Sequence, residues 1–147
     1  MREVKFRAWD KMQKELVKVN AIALNANCFD TKSYLHGSQP HLYDEDGVLH
    51  LLEDCELLQF TGLYDKNGQE IYEGDIVKGK AIKVRGGFSY LGKIIFYNQS
   101  NIHGYFIEDK NGAAWRLEQA QAIVSLDRIT GEVIGNIYEN PDLLEGD

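Results

Sequence analysis

Residues 60–78 read FTGLYDKNGQEIYEGDIVK, and how its glycines and acids are read decides the fold. Asp65, Glu70, Glu73 and Asp75 admit three interpretations: a metal loop, a catalytic acid cluster, or tight turns between strands. A calcium loop needs oxygen ligands at positions 1, 3 and 5, glycine at 6 and glutamate at 12. Counting from Asp65, glycine falls at the fourth position, and the residue near the twelfth is apolar. An acid/base pair needs burial or a partner that separates two pKa values, and the residues around Glu70, Glu73 and Asp75 announce neither. Turns remain. Asn-Gly is a two-residue hairpin signal because its residues tolerate positive φ, and Asp can accept from the backbone two residues on. Glu73-Gly74-Asp75 reads as a second turn into a strand from Ile76, with Gly74 supplying an angle that a side chain would forbid. On this reading the carboxylates face water.

Outward from this stretch the pattern stays β. In VKFRAW, Val4, Phe6 and Ala8 alternate with Lys5, Arg7 and Trp9, the period of a half-buried strand. Leu16, Val17, Val19, Ile22 and Leu24 suggest a second strand irregular in phase, paired with the first through the short polar link 10–14. Residues 25–47 have no period and read as loop with one short strand. From residue 74, GDIVKGK, LGKIIFYN, GYFIED and AAWRL are short runs at sandwich or small-barrel spacing. LEQAQAI (117–123) is the best helical candidate, GEVIGNIY closes as a strand, and LLEGD trails off as an acidic tail. The acidic turns DEDG (44–47), DKNG (65–68) and DKNG (109–112) recur without a fixed period, so no solenoid is implied.

Composition bounds the object. The chain has 147 residues, 44% hydrophobic and 27% charged, which is a folded domain's balance. Its two cysteines, Cys28 and Cys55, form neither a disulfide framework nor a Cys-x-x-Cys pair. No signal peptide and no run approaching about 18 apolar residues is present, so a cytoplasmic protein with no membrane partner is expected. The net charge of −7 disfavours generic nucleic-acid binding.

TGLYDKNGQEIYEGDIV, with RAWD near the N-terminus and EVIGNIYENPDLL near the C-terminus, resembles the YopX family of phage and prophage proteins. The three segments lie in the same order and span nearly the whole chain. The resemblance implies a small protein encoded by a bacteriophage, or by a prophage of a Gram-positive bacterium. It carries over no enzymatic activity and no catalytic motif.

One stretch could make contacts. KGKAIKVRGGFSYLGK holds Lys78, Lys80, Lys83, Arg85 and Lys93 without an acid, and Phe88 and Tyr90 interleave. Cations on phosphates and rings under bases would bind a single strand; alternatively, the lysines guard a strand edge. His36 and His41, near Cys28, are ligand types for zinc but meet no structural-site spacing. His50 and His103 are isolated in sequence and read as satisfied or exposed histidines. No Gly-x-Ser-x-Gly, Walker-type loop or His-Glu-x-x-His occurs.

The expectation is therefore mainly β. Residues 74–147 form a small SH3-like barrel, and 1–73 form an N-terminal β-hairpin subdomain with a long loop, sharing one core. A non-enzymatic module that binds a protein partner or itself as a homo-oligomer comes first, with no cofactor and no metal. A nucleic-acid-binding accessory protein and a metal-dependent enzyme are the alternatives.

Overall fold

The computed structural model describes residues 3–24, 39–82, 85–123 and 125–145. Cys28, His36 and Lys83 lie outside these residues. Contacts divide the chain into two units, Lys5–Gln59 and Phe60–Asp147 with Met1–Val4.

In the first unit, β1 (Phe6–Asp10) and β2 (Glu15–Ala23) form the expected antiparallel hairpin, joined by β3 (His41–Asp44), β4 (Leu49–Leu51) and the start of β5 (Cys55–Tyr64). The order is β4-β3-β2-β1-β5. The irregular phase of β2 has a physical cause: the register against β3 shifts between Val19 and Ala21. A bulge adds one residue and moves the apolar set to the other face. Ala8, Leu42 and Leu58 are the buried aliphatics among the described residues of this unit.

In the second unit, the rest of β5 pairs with β6 (Glu70–Tyr72). β7 (Asp75–Ala81), β8 (Phe88–Gln99), β9 (Ile102–Glu108), β10 (Ala114–Arg116) and β11 (Glu132–Asn136) make an antiparallel sheet of order β10-β9-β8-β7-β11. The fold is mainly β, as expected, but this sheet is open, with β10 and β11 at its edges rather than joined into a closed barrel. Its inner face carries Val77, Ala81, Tyr90, Ile94, Tyr105 and Ile107, packed with Ile71, Leu117, Ala120 and Ile129.

The helix expected at 117–123 is a 3-10 turn, Leu117–Ala120, after which Gln121 is extended at φ −60°, ψ 145°. Two turns cannot repay α-helix nucleation. The i, i+3 spacing of the 3-10 turn suffices to bury Leu117 and Ala120 on one side. The acidic tail begins with another 3-10 turn, Pro141–Glu145.

The quoted stretch does form two turns, but the first is not the two-residue type. Gly68 N–H donates to Asp65 O (3.0 Å) and Asp65 N–H to Gln69 O (2.8 Å), with Gly68 at φ +86°. Among the described residues only Lys14 and Ser100 are non-glycine residues with positive φ, so Asn67 is not left-handed. This is a three-residue loop, a turn closed by a left-handed glycine. Asp65 Oδ1 selects it by accepting from Asn67 N–H (2.8 Å) and Gln69 N–H (2.9 Å). The loops at 44–48 and 109–113 repeat all four bonds with Asp44 and Asp109. The second turn is as expected: Gly74 has φ +85°.

Candidate functional site: buried acids, a sheet face and a bulged cleft

The turn acids do not all face water, which corrects the sequence reading of residues 60–78: Asp65 and Asp75 are buried. Asp10, Asp44, Asp65 and Asp75 are each less than a tenth exposed. They are buried because the backbone satisfies them. Asp65 takes a third bond, from Val133 N–H (3.0 Å), and Asp75 Oδ2 accepts from Tyr72 N–H (2.8 Å). A carboxylate that accepts several N–H bonds can leave water without an ion. Glu70 and Glu73 are half-buried.

Of the two alternatives expected for His50, satisfied or exposed, the structure shows the satisfied one. Its Nδ1 lies 2.6 Å from Asp10 Oδ2 and its Nε2 2.8 Å from Asp44 Oδ2, all three residues buried. An imidazole facing carboxylates from both nitrogens must donate from both, so it is an imidazolium. Burial alone would lower its pKa; the hydrogen bonds and charges of Asp10 and Asp44 overcome this and raise it. Burial likewise pushes both carboxyls up, but His50 and backbone N–H groups of the adjoining turns hold them below the usual range. Asp10 Oδ1 receives Met12 and Gln13 N–H, and Asp44 Oδ1 receives Asp46 and Val48 N–H. The triad thus ties the β1–β2 and β3–β4 turns together. Its partners lie 40 and 6 residues from His50, a separation no local motif reveals.

Burial, with the charges of Asp10 and Asp54, pushes the Cys55 thiol up to about 11, far from a reactive thiolate. His41 Nδ1 bonds Gln39 O (2.8 Å). Among the described residues no group of three or more His, Cys, Asp or Glu is arranged to hold a metal ion. No described helix is long and apolar enough to cross a membrane.

The expected contact residues are dispersed. Tyr90 is buried, its hydroxyl 3.1 Å from Thr130 Oγ1, and Phe88 stacks on Trp115 with ring centroids 5.1 Å apart. Both belong to the core side of the sheet. Lys93 pairs with Glu108 at 3.6 Å. Lys78, Lys80 and Arg85 are exposed. β7 lies between β11 and β8, so its lysines guard no strand edge. Lys83 is among the residues not described.

The outer face of the same sheet holds what the sequence reading missed. Strand alternation places Ile95, Tyr97, Phe106 and Arg116 there, with Lys78 and Lys80 on the same face opposite Leu91 and Ser89, toward the other end of β8. Tyr97 meets Phe106 edge-on at 5.2 Å, and the Arg116 guanidinium sits 5.1 Å over the Phe106 ring. The signal was present in the alternation of KIIFYN and GYFIED, where apolar residues occupy both faces.

A cleft of about 360 Å³ lies in the second unit, lined by Glu3, Phe60–Tyr64, Tyr105, Leu117, Glu118 and Gln121. A bulge in β5 opens it. Phe60 pairs with Tyr72 and Tyr64 with Glu70, and the register shifts between them. Gly62 takes φ +88°, and Thr61 Oγ1 bonds Ile71 O (2.8 Å) while accepting Leu63 N–H (3.2 Å). Tyr64 is anchored by its N–H to Asp127 O (2.8 Å) and by Ile129 N–H to its carbonyl (2.9 Å).

Together these features define a small, mainly β protein of two antiparallel units whose buried charges serve as backbone ties. The chain belongs to the YopX family: the family described as YopX protein matches residues 5–145. It is similar to the crystal structure of protein EF1440 from Enterococcus faecalis, with 25% identity, TM-score 0.59, and coverage of 98% of this chain and 99% of that one. No curated protein matches.

Proposed function

We propose that this is a non-enzymatic interaction module, encoded by a phage or prophage and acting in the host cytoplasm, which binds a protein partner or a second copy of itself. The observation that carries the reading is the outer sheet face. Tyr97, Phe106 and Ile95 are only partly covered, and Arg116 lies on Phe106. Aromatic residues and arginine are the side chains that dominate protein interfaces. The buried ionisable groups support it too, since Asp10, Asp44, His50 and Asp65 are engaged with one another or with backbone amides. An SH3-like arrangement is part of the proposal. Counted from β7, the strand order is 5-1-2-3-4, with a 3-10 turn between the fourth and fifth strands, as in SH3-like barrels.

The test is sedimentation of the pure protein, with capture from induced host cells, for the parent and for Tyr97→Ala/Phe106→Ala. We expect the double variant to fold and to lose self-association or the captured partner. Identical behaviour of the two proteins removes the reading. Nucleic acid is the second reading, favoured only by Arg116 beside Phe106 and by Lys78 and Lys80 farther along the same face. It requires a mobility shift at low salt that weakens steeply as salt rises.

A further inference from the structure

We infer that Asn111, in the loop between β9 and β10, is a site of spontaneous covalent modification, at which the backbone nitrogen of Gly112 displaces the side-chain amide. The chain holds Asn-Gly twice, at 67–68 and 111–112, each time within DKNG. In either copy the glycine nitrogen can bond to the asparagine Cγ and close a five-membered imide. The Cγ–Nδ2 bond breaks, and the glycine N–H proton leaves with the amide as ammonia. Water then opens the ring at one carbonyl or the other, giving aspartate or isoaspartate. The step needs no oxidant or reductant. Glycine favours it because no side chain hinders the attacking nitrogen.

The tertiary structure treats the two copies differently. Asn111 and Gly112 are exposed, and a Cβ on Gly112 would meet nothing within 4 Å. Before Gly112 can attack, its N–H must leave Asp109 O (3.1 Å). The other bonds that close this loop are also local: Asp109 N–H to Ala113 O (2.9 Å), and the Asn111 and Ala113 N–H groups to Asp109 Oδ1 (2.9 Å each). Gly68 N–H is held in the same way, on Asp65 O at 3.0 Å, but that loop is tied to distant chain as well. Asp65 Oδ2 accepts Val133 N–H (3.0 Å), Lys66 N–H donates to Gly131 O (2.9 Å), and Asn67 Nδ2 donates to Glu132 Oε2 (3.4 Å). The Arg128 guanidinium lies 3.5 Å from where a Cβ on Gly68 would stand. Local opening is the step that frees the glycine nitrogen, so it costs more at 65–69 than at 109–113. Modification at 111 adds a negative charge to the β9–β10 link and, as isoaspartate, a methylene to its backbone. The edge strand that holds Arg116 over Phe106 is thereby loosened.

The test incubates the native full chain at mildly alkaline pH, with a parallel sample unfolded in guanidinium chloride. Digestion with pepsin in acid keeps rings from closing during handling, and mass spectrometry follows amide-to-acid conversion at both asparagines. We expect Asn111 to convert at least about fivefold faster than Asn67 in the native chain, the factor set by one further net hydrogen bond to break. In the unfolded chain the two rates should be similar, since both sites lie in DKNG. Asn111→Gln, whose longer side chain would need a six-membered ring, should stay unmodified at 111. It should also keep slow exchange of the amides that bond β9 to β10, which the parent loses in step with modification. No conversion at Asn111, native rates that are equal or faster at Asn67, the same ratio in the unfolded chain, or equal β9–β10 exchange in aged parent and Asn111→Gln overturns the inference.

Discussion

His50 sits between two carboxylates that reach it from different turns, and the balance of charges there depends on pH. Its folded pKa lies above the ordinary 6.5, so its contribution to stability is complete below that pH and is lost as pH rises through the raised value. Asp10 and Asp44 lie below the ordinary 3.8, so their contribution is complete above that pH and is lost as pH falls through the lowered values. Denaturant melts across pH should therefore show this stabilisation at full strength from 3.8 to 6.5 and declining on both sides. His50→Ala leaves two buried carboxylates facing each other. We expect it to cost about 3–5 kcal/mol by urea unfolding and to abolish the alkaline limb of the profile. A profile unchanged above pH 6.5 would contradict the imidazolium assignment.

Turns and strands supply an internal control at the next scale. The loops at Asp65 and Asp109 share one sequence, DKNG, and one set of local bonds, but Asp65 is fully buried and also holds Val133 N–H across the unit. Asp65→Ala should cost about 2–3 kcal/mol and Asp109→Ala about 1 or less, because only the first strands a buried donor. Equal losses in thermal melts would mean that burial of the acid adds nothing. Close strand approach sets a second limit. A Cβ on Gly131 would lie 2.3 Å from the Lys78 carbonyl oxygen and 2.5 Å from the Tyr90 hydroxyl. Backbone cannot yield as a flexible side chain can. Gly131→Ala should therefore lower the melting temperature and separate β11 from β7, visible as faster exchange of the amides that bond across these two strands.

For the whole molecule, charge and buried structure favour different conditions. The net charge is −7 at pH 7, and the isoelectric point is near 5.1. That pH lies inside the window where the Asp10–His50–Asp44 triad is intact, so solubility and stability should not peak together. Light scattering should show most association near pH 5.1 without loss of fold, since repulsion between copies is weakest there. Association that instead tracks unfolding would refute this separation.

Much of the fold was legible in the chain because strands and turns are written locally. Phe6 to Trp9 alternate, glycine sits where φ is positive at 68 and 74, and even the bulge in β2 showed as a broken phase between Leu16 and Leu24. What stayed hidden was every feature made by residues far apart in sequence. Asp10 and His50 are 40 positions apart, Asp65 and Val133 are 68, and the cleft joins Phe60 to Gln121. Sequence alone determined that this protein is a β protein of short ribbons bent at acidic glycine turns, since those choices depend on the nearest few residues. Only the tertiary structure decided which acids leave water, whether the last sheet closes and which aromatic rings face out, since each depends on what the folded chain brings alongside.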